Sequence, residues 1–465
     1  MVIFYVKKLD KTYNFCGEAL DDIQLQGGAL MTNYVAQVKE NLMDIIDQMD
    51  KHQWLFVKNP EKDFTRNRKL DFKTMLGLLL SMNGNSIYKE LLDYCGYTSD
   101  IATSSAFVQQ RDKILSFAFE FLLHEFNESL KQYKTYRGYR LLAVDGSDLN
   151  ISHNPSDSST YFQSIPDNKG FNLLHLNAMY DLCNKLYLDA LIQPGREENE
   201  YRALTDMVDR SNLDKNTILM ADRGYESYNV LAHIEEKGWK YIIRVKDTTS
   251  KGMASTFKLP EGEFDRNIYR ELTRKQTKEV KAHPELYKFL PINSTFDYLD
   301  LNKNKFYPMQ FRVIRFQITD DTYETVITNL DAEAFPPEEL KKLYHMRWGI
   351  ETSFRELKYA IGLTSFHAKK VVYITQEVFA KLVMYNFCEM ITLHVVIQQK
   401  PTKYGYQVNF TRAIHICKKF FRNENVHPPD VEALIRKNVL PIRENRTDPR
   451  KTKFKKAVSF NYRVA

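Results

Sequence analysis

Cysteine, tryptophan, long apolar runs and the common nucleotide and zinc signatures are all scarce or missing in this chain. Cys16, Cys95, Cys183, Cys388 and Cys417 are odd in number and widely scattered, which argues against a disulfide framework and against a cysteine-based zinc site. No HExxH, CxxC, P-loop or GxGxxG after a strand occurs, so a zinc hydrolase, NTPase or dehydrogenase finds no support. The longest apolar run, residues 75–82, is far too short to span a bilayer. The opening MVIFYVKKLDKTY places its apolar residues before its charges and offers no small-residue cleavage site, unlike a signal peptide. With 17 Gly and 15 Pro among 465 residues the chain is not of low complexity, and there is no internal repeat. What is present, 43% hydrophobic and 13% aromatic residues, exceeds what a disordered chain carries and suffices for about two to four folding units. The expectation is a cytoplasmic globular protein.

Charge is unevenly spread. The net charge is +7, yet residues 400–465 hold 16 basic and 5 acidic residues, so the first 399 sum to −4. Most of the excess lies in Arg443, Arg446, Arg450, Lys451, Lys453, Lys455 and Lys456. A basic tail on a near-neutral body suits a polyanion, either nucleic acid or an acidic surface, and it also suits a solubilising terminus.

Residues 1–135 read as helical, with apolar positions at three- and four-residue spacing over 29–49, 70–82 and 112–126. Arg66, Arg68 and Lys69 precede the second of these and are candidates to meet phosphates, although a plain helical bundle with a solvated linker is the favoured reading of this segment by itself. Strands then alternate with helices. Residues 140–145, 173–180, 185–192, 217–222 and 241–245 are short apolar runs, with a helix at 228–237, which together imply an α/β layer. Residues 246–320 lose the helical signal and read as a β-rich insertion. Within them, 246–319 carry 14 basic and 9 acidic residues. The α/β pattern resumes over 321–370 with a strand at 322–329 and one long helix at 337–362. Residues 371–465 read as a helical, basic C-terminal region.

Three carboxylates stand out by position. Asp145 and Asp222 each end an apolar run before a Gly-containing turn, at a sheet rim where active sites commonly form. Asp148 stays open as an alternative to Asp145, which is preferred because it sits directly on the apolar run. Turn formation or helix capping is the plainer account of either Asp alone. The third is Glu351, in the series Tyr344, Arg347, Glu351, Lys358. On a straight helix their offsets fall within an arc of roughly 60°, with Arg355 at its edge. An ordinary solvated face, with Arg347–Glu351 and Glu351–Arg355 ion pairs, is the competing account. Three carboxylates converging from separate elements repel one another and suit hard divalent cations. Oxygen-only ligation indicates Mg²⁺, with Mn²⁺ able to substitute, and two such ions can serve phosphodiester chemistry. Arg347 and Lys358 then contact phosphates, and Tyr344 orients a strand end. His175, His345 and the loop 193–200 border this region, and are read as structural and solvated, respectively.

The motifs AVDGS around Asp145 and ADRGY around Asp222, with the Y-x2-R-x3-E-x6-K spacing of Tyr344 to Lys358, closely resemble the DDE transposases of bacterial insertion sequences that carry the Y-R-E-K signature. The resemblance spans roughly residues 60–400. It implies an α/β fold whose RNase H-like core, 136–245 and 321–370, is interrupted by the insertion and flanked by the helical N- and C-terminal regions. It implies Mg²⁺-dependent cleavage at transposon ends and strand transfer into target DNA by a cut-and-paste, hairpin route. Asp145, Asp222 and Glu351 become the catalytic metal triad. Tyr344, Arg347 and Lys358 become contacts to the transposon end, with Arg355 and Arg223 beside them. The implied partners are terminal inverted repeats, target DNA and a second copy of the chain, in a bacterial cytoplasm and at the nucleoid when bound. Relatives with a base-holding Trp in the insertion differ from this chain, whose Trp54, Trp239 and Trp348 all lie elsewhere. Tyr269, Tyr287, Phe296, Tyr298 and Phe311 are the aromatic candidates there. The rival readings are a metal-dependent DNA nuclease without strand transfer and a domesticated DNA-binding protein.

Overall fold

The computed structural model describes residues 29–130, 133–163, 169–301, 305–319, 322–395, 405–422 and 429–442. Among these the chain opens with α1 (Ala29–Lys51), α2 (Phe72–Ser81), α3 (Ile87–Tyr94), α4 (Ser104–Lys113) and α5 (Phe117–Glu128). Side-chain caps set two of the starts. Asp71 accepts from the Thr74 amide at 2.7 Å and Thr103 from the Ala106 amide at 3.1 Å, each satisfying an otherwise orphaned donor. The helix expected over 112–126 is broken in two. Between α4 and α5 the backbone leaves the helix to bridge Val57 with Ile114, and the Leu115 amide donates to Phe56 O at 2.9 Å.

A layer of strands and helices follows: β1 (Arg140–Ile151), β2 (Tyr161–Phe162), β3 (Phe171–Asp181), β4 (Leu186–Pro194), α6 (Glu200–Arg210), β5 (Thr217–Ala221), α7 (Tyr228–Glu236) and β6 (Lys240–Val245). β1, β3 and β4 are antiparallel neighbours, whereas β1, β5 and β6 run parallel. The spatial order β4-β3-β1-β5-β6, with α6 and α7 on the crossovers, is that of an RNase H-like core. Every residue of β5 is buried, as befits a central strand with parallel partners on both sides. One expectation is corrected here. Asp145 does not end its strand, because β3 keeps pairing with β1 from Gly146–Asn177 to Ile151–Asn172.

Next come β7 (Phe264–Thr273), α8 (Lys278–Ala282), β8 (Tyr287–Phe289), β9 (Phe306–Thr319) and β10 (Thr322–Thr328). β10 pairs with β6, β9 with β10, β7 with β9, and β8 with β7. The strands of the insertion therefore extend the core sheet and do not form a sheet of their own. The chain ends with α9 (Pro337–Met346), α10 (Gly349–Glu356), a π turn (Leu357–Ile361), α11 (Val371–Thr392), β11 (Tyr406–Val408), α12 (Phe410–Arg422), α13 (Val431–Lys437) and β12 (Val439–Pro441). β11 and β12 form a two-stranded ribbon within a region expected to be helical.

The sheet is packed on both faces. Leu142, Val144, Leu219 and Ala221 face one core together with α6 and α7. Ala143 points to the other face, where α10, α11 and the N-terminal helices pack, and Ile218 and Met220 meet α9. α11 is buried along most of its length. Its Asn386 joins helix to sheet, accepting from the Tyr187 amide and donating to the Tyr187 carbonyl, both at 2.8 Å. No helix among the described residues is long and apolar enough to cross a membrane. The basic run 443–456 lies outside the described residues.

Candidate active site

β1 and β5 pair in parallel, Arg140 with Thr217 through Ala143 with Met220. Carried two residues further, that register sets Asp145 and Asp222 side by side on the face of Ala143 and Met220. The two local backbones differ. Asp145 sits within a continuing strand and accepts from its neighbour Gly146 N at 2.9 Å, whereas Asp222 caps a short turn and accepts from Gly224 N at 2.7 Å.

α9 covers β5 and α10 covers β1 on that same face. The expected single helix at 337–362 is interrupted. At Arg347–Trp348 the chain tightens, the Arg347 amide donating to Tyr344 O at 3.1 Å and the Ile350 amide to Arg347 O at 3.1 Å. These i→i+3 bonds wind the backbone more than an α-helix does, and the π turn that holds Lys358 winds it less. The straight-helix arc drawn from sequence is thus bent at both ends. Tyr344 and Arg347 turn into the protein and are 2% and 3% exposed, while the Glu351 side chain keeps 39% of its surface.

Arg347 Nη2 donates to Glu351 Oε1 at 3.2 Å, and its Nε and Nη1 have no hydrogen-bond partner. The Tyr344 hydroxyl is likewise buried and unpartnered. Lys358 Nζ donates to Ser147 Oγ at 2.6 Å and to Asp148 O at 3.1 Å, fastening the π turn to β1 just past Asp145. Burial is the main reason that the Asp145 carboxyl is pushed up to about 6; Arg347 and the Gly146 amide oppose this, and the charges of Glu351 and Asp222 add to it. Asp145, Asp222 and Glu351 thus lie within one electrostatic neighbourhood. Their oxygens do not all close to within 4.8 Å.

The structure adds a group that the sequence reading left as loop and structural residue. Asp148 faces His175 directly across β1 and β3. His175 Nδ1 is 3.0 Å from Asp148 Oδ1 and 3.5 Å from Glu198 Oε1, and Nε2 is 3.2 Å from Glu200 Oε1. Burial would lower the imidazole pKa, but the bonds to Asp148 and Glu200 overcome it and push it up to about 9. The local sequence signal was Asn199–Glu200, a helix start whose Asn199 side chain accepts from the Arg202 amide at 3.0 Å. Nothing in the linear chain links that start to His175.

Of the other candidates, Arg223 and Arg355 are exposed, as are Arg66, Arg68 and Lys69, the last paired with Asp100. Phe296 and Phe311 belong to the core. Tyr298 packs edge-on against His233. Tyr269 is exposed and Tyr287 partly so, their hydroxyls bonded to Glu271 and Glu279 at 2.9 Å. A second cluster, Glu120, His124 and Asp189, already holds a cation: Arg210 lies 3.0 Å from Glu120 and also binds Asp189.

The family model described as "Transposase DDE domain" matches residues 136–387. No curated protein matches the chain. Among solved structures, the chain is similar to the piggyBac transposase in a synaptic complex with hairpin DNA. Identity is 10% and the TM-score 0.41, over 90% of this chain and 84% of that one.

Proposed function

This chain belongs to the transposase DDE domain family, and on that premise we propose that it cuts DNA at the ends of a mobile element and joins the freed ends to target DNA. The observation that supports this reading is the parallel register of β1 and β5, which, extended by two residues, pairs Asp145 with Asp222, together with the action of the Glu351 charge on Asp145.

The residues present fit a divalent cation. Crowded, partly buried carboxylates with no nitrogen or sulfur donor among them make a site for Mg²⁺ or Mn²⁺, and the Asp145 carboxyl, raised mainly by burial and further by the charges of Glu351 and Asp222, is one that a cation would stabilise in its charged form. Asp145, Asp222 and Glu351 would hold the ions, two per site. When bound, they supply activation of the attacking oxygen and stabilisation of the leaving one.

The protein's own groups orient the DNA. Arg347 keeps Nε and Nη1 without partners in a buried site, two donors on different edges of the guanidinium that suit phosphate oxygens singly. The Tyr344 hydroxyl, equally unpartnered, is the matching donor for a strand end. Lys358, fixed beside Asp145 by Ser147, adds charge on the same side, and the exposed Arg223 and Arg355 meet the flanking backbone. The route is cut-and-paste through a hairpin: the 3′-OH freed by the first cut attacks the opposite strand, hydrolysis reopens the hairpin, and the 3′-OH then joins target DNA. Two copies of the chain act on paired ends. Tyr269 and Tyr287, the less buried aromatics of the insertion, are candidates to stack on a flipped base.

The test is to incubate the full chain with DNA carrying its gene's own flanking sequences and Mg²⁺, then run a denaturing gel. Cleavage at a repeated end with hairpin and joined products is the expected result. Cutting without joining would make the protein a nuclease. Shifted but uncut DNA, with Mn²⁺ also tried, would make it a DNA-binding protein.

A further inference from the structure

Glu200 stands first in α6, and its carboxylate lies against the glycines that follow the two rim aspartates, Gly146 and Gly224. A Cβ at Gly146, the residue after Asp145, would lie 2.3 Å from Glu200 Oε1 and 2.3 Å from His175 Nε2. A Cβ at Gly224, whose amide serves Asp222, would lie 3.6 Å from Glu200 Oε2. One oxygen of Glu200 thus addresses the Asp145 backbone and the other the Asp222 turn, and glycine at position 146 is what permits the approach.

A second observation concerns Tyr225. This residue is 1% exposed and its hydroxyl has no hydrogen-bond partner. The carboxylates acting on that phenol are, in order of strength, Glu200, Asp145, Asp222 and Glu198. A buried hydroxyl is costly to leave without a partner, so its position among these acids marks it as a donor for a species the cluster holds.

We infer that Glu200 is a fourth acidic residue of the active centre, set between Asp145 and Asp222 to help hold the divalent cation or its water, with His175 as the positioning residue that aims it. The inference rests on the triad reading given under the proposed function. The competing role is structural: Glu200 favours the helix N-terminus and neutralises His175. That role does not require the carboxylate to lie against both Gly146 and Gly224 or leave Tyr225 without a partner.

Mn²⁺ binding to the metal-free full chain, followed by titration calorimetry without DNA, separates the two. Glu200→Gln removes charge at constant shape, and His175→Gln removes the aim. Each is expected to weaken Mn²⁺ by on the order of 10–100-fold, the effect typical of groups that support a metal site. Asp222→Asn serves as the control for the triad. If it weakens Mn²⁺ while a folded Glu200→Gln variant binds as wild type, the inference is overturned and the triad stands. If neither changes the affinity, the triad reading itself fails. A Glu200→Gln variant that melts earlier but keeps wild-type affinity decides for the structural role. Should it not fold, Glu200→Asp withdraws the carboxylate by one methylene, and wild-type affinity there overturns the inference equally.

Discussion

Where α3, α4 and α11 meet, Glu90, Arg111, Glu377 and Lys381 form a buried ionic network with His367; at the sheet rim, Asp145, Asp222, Glu351 and Arg347 form another group of partly buried charge. The first is saturated at nearly every atom. Arg111 donates to Gln376 at 2.9 Å, to Glu377 at 2.8 Å and to the Tyr373 carbonyl. Glu377 also takes the His367 amide at 3.0 Å, and Lys381 donates to the Gly362 and Ser365 carbonyls at 2.7 and 2.6 Å. The second group leaves two Arg347 nitrogens and the hydroxyls of Tyr344 and Tyr225 without partners and sets carboxylates against one another. Charge that serves architecture is closed on itself, because an unpaired buried ion is costly. Under the proposed function, the open donors and crowded carboxylates of the second group are the ones that meet a ligand.

The sharpest way to break this contrast is to remove one member of each group. Asp222→Asn should lower end cleavage by on the order of 10³-fold or more, since a bound cation is worth several kcal/mol and each 1.36 kcal/mol is tenfold. End binding in a gel shift and the melting temperature should stay near wild type; equal loss of binding in a folded protein would remove Asp222 from the metal site. Arg111→Met should do the reverse. It strands Glu377 against His367 and should cost about 3–5 kcal/mol in urea unfolding, while cleavage per folded molecule is kept. An unchanged unfolding midpoint would show that the network is not the structural one.

Acid offers a subtler discrimination, because the two groups carry opposite signs. Burial alone would raise the Glu377 carboxyl, but Arg111 and His367 hold it well below the usual range. Its contribution is therefore present at neutral pH and lost as pH falls below about 4. Asp145 is raised to about 6, so its favourable contribution is full below about pH 4 and is lost as pH rises through 6. Unfolding in EDTA across pH 4–7 should show Asp145→Asn flattening a fall in stability with rising pH. The same slope in variant and wild type would place the titration elsewhere. The smallest expected change is at the exposed edge. Arg355→Gln should weaken DNA binding severalfold and reduce the slope of log affinity against log salt by about 0.9, the value of one phosphate contact. No change in slope would take Arg355 out of the interface.

The aspartates were legible because a strand-end motif survives in one dimension: an apolar run of β identity followed by Asp and Gly. That β1 continues past Asp145 was not, since the pairing with β3 is set by a partner some thirty residues away. The helical signature showed which residues share an element but misjudged their aim. A tightened turn at Arg347 and a wide one at Lys358 obey no 3.6-residue period, and Arg347 is buried where a solvated face was the plain alternative. Glu200 was out of reach for a different reason. Its meaning depends on His175 from β3 and Gly146 from β1, three segments whose meeting no periodicity announces.

The sheet that runs without a separate linker from β5 through β6, β10, β9 and β7 has a mechanical consequence. A lobe hung on two flexible strands can swing; one stitched on by a backbone ladder moves only by twisting or by shearing hydrogen bonds. Strands spaced about 4.8 Å apart then act as a ruler, fixing how far anything gripped at β7 stands from Asp222. Load applied at β7 would reach the aspartates along the hydrogen-bonded ladder of the sheet.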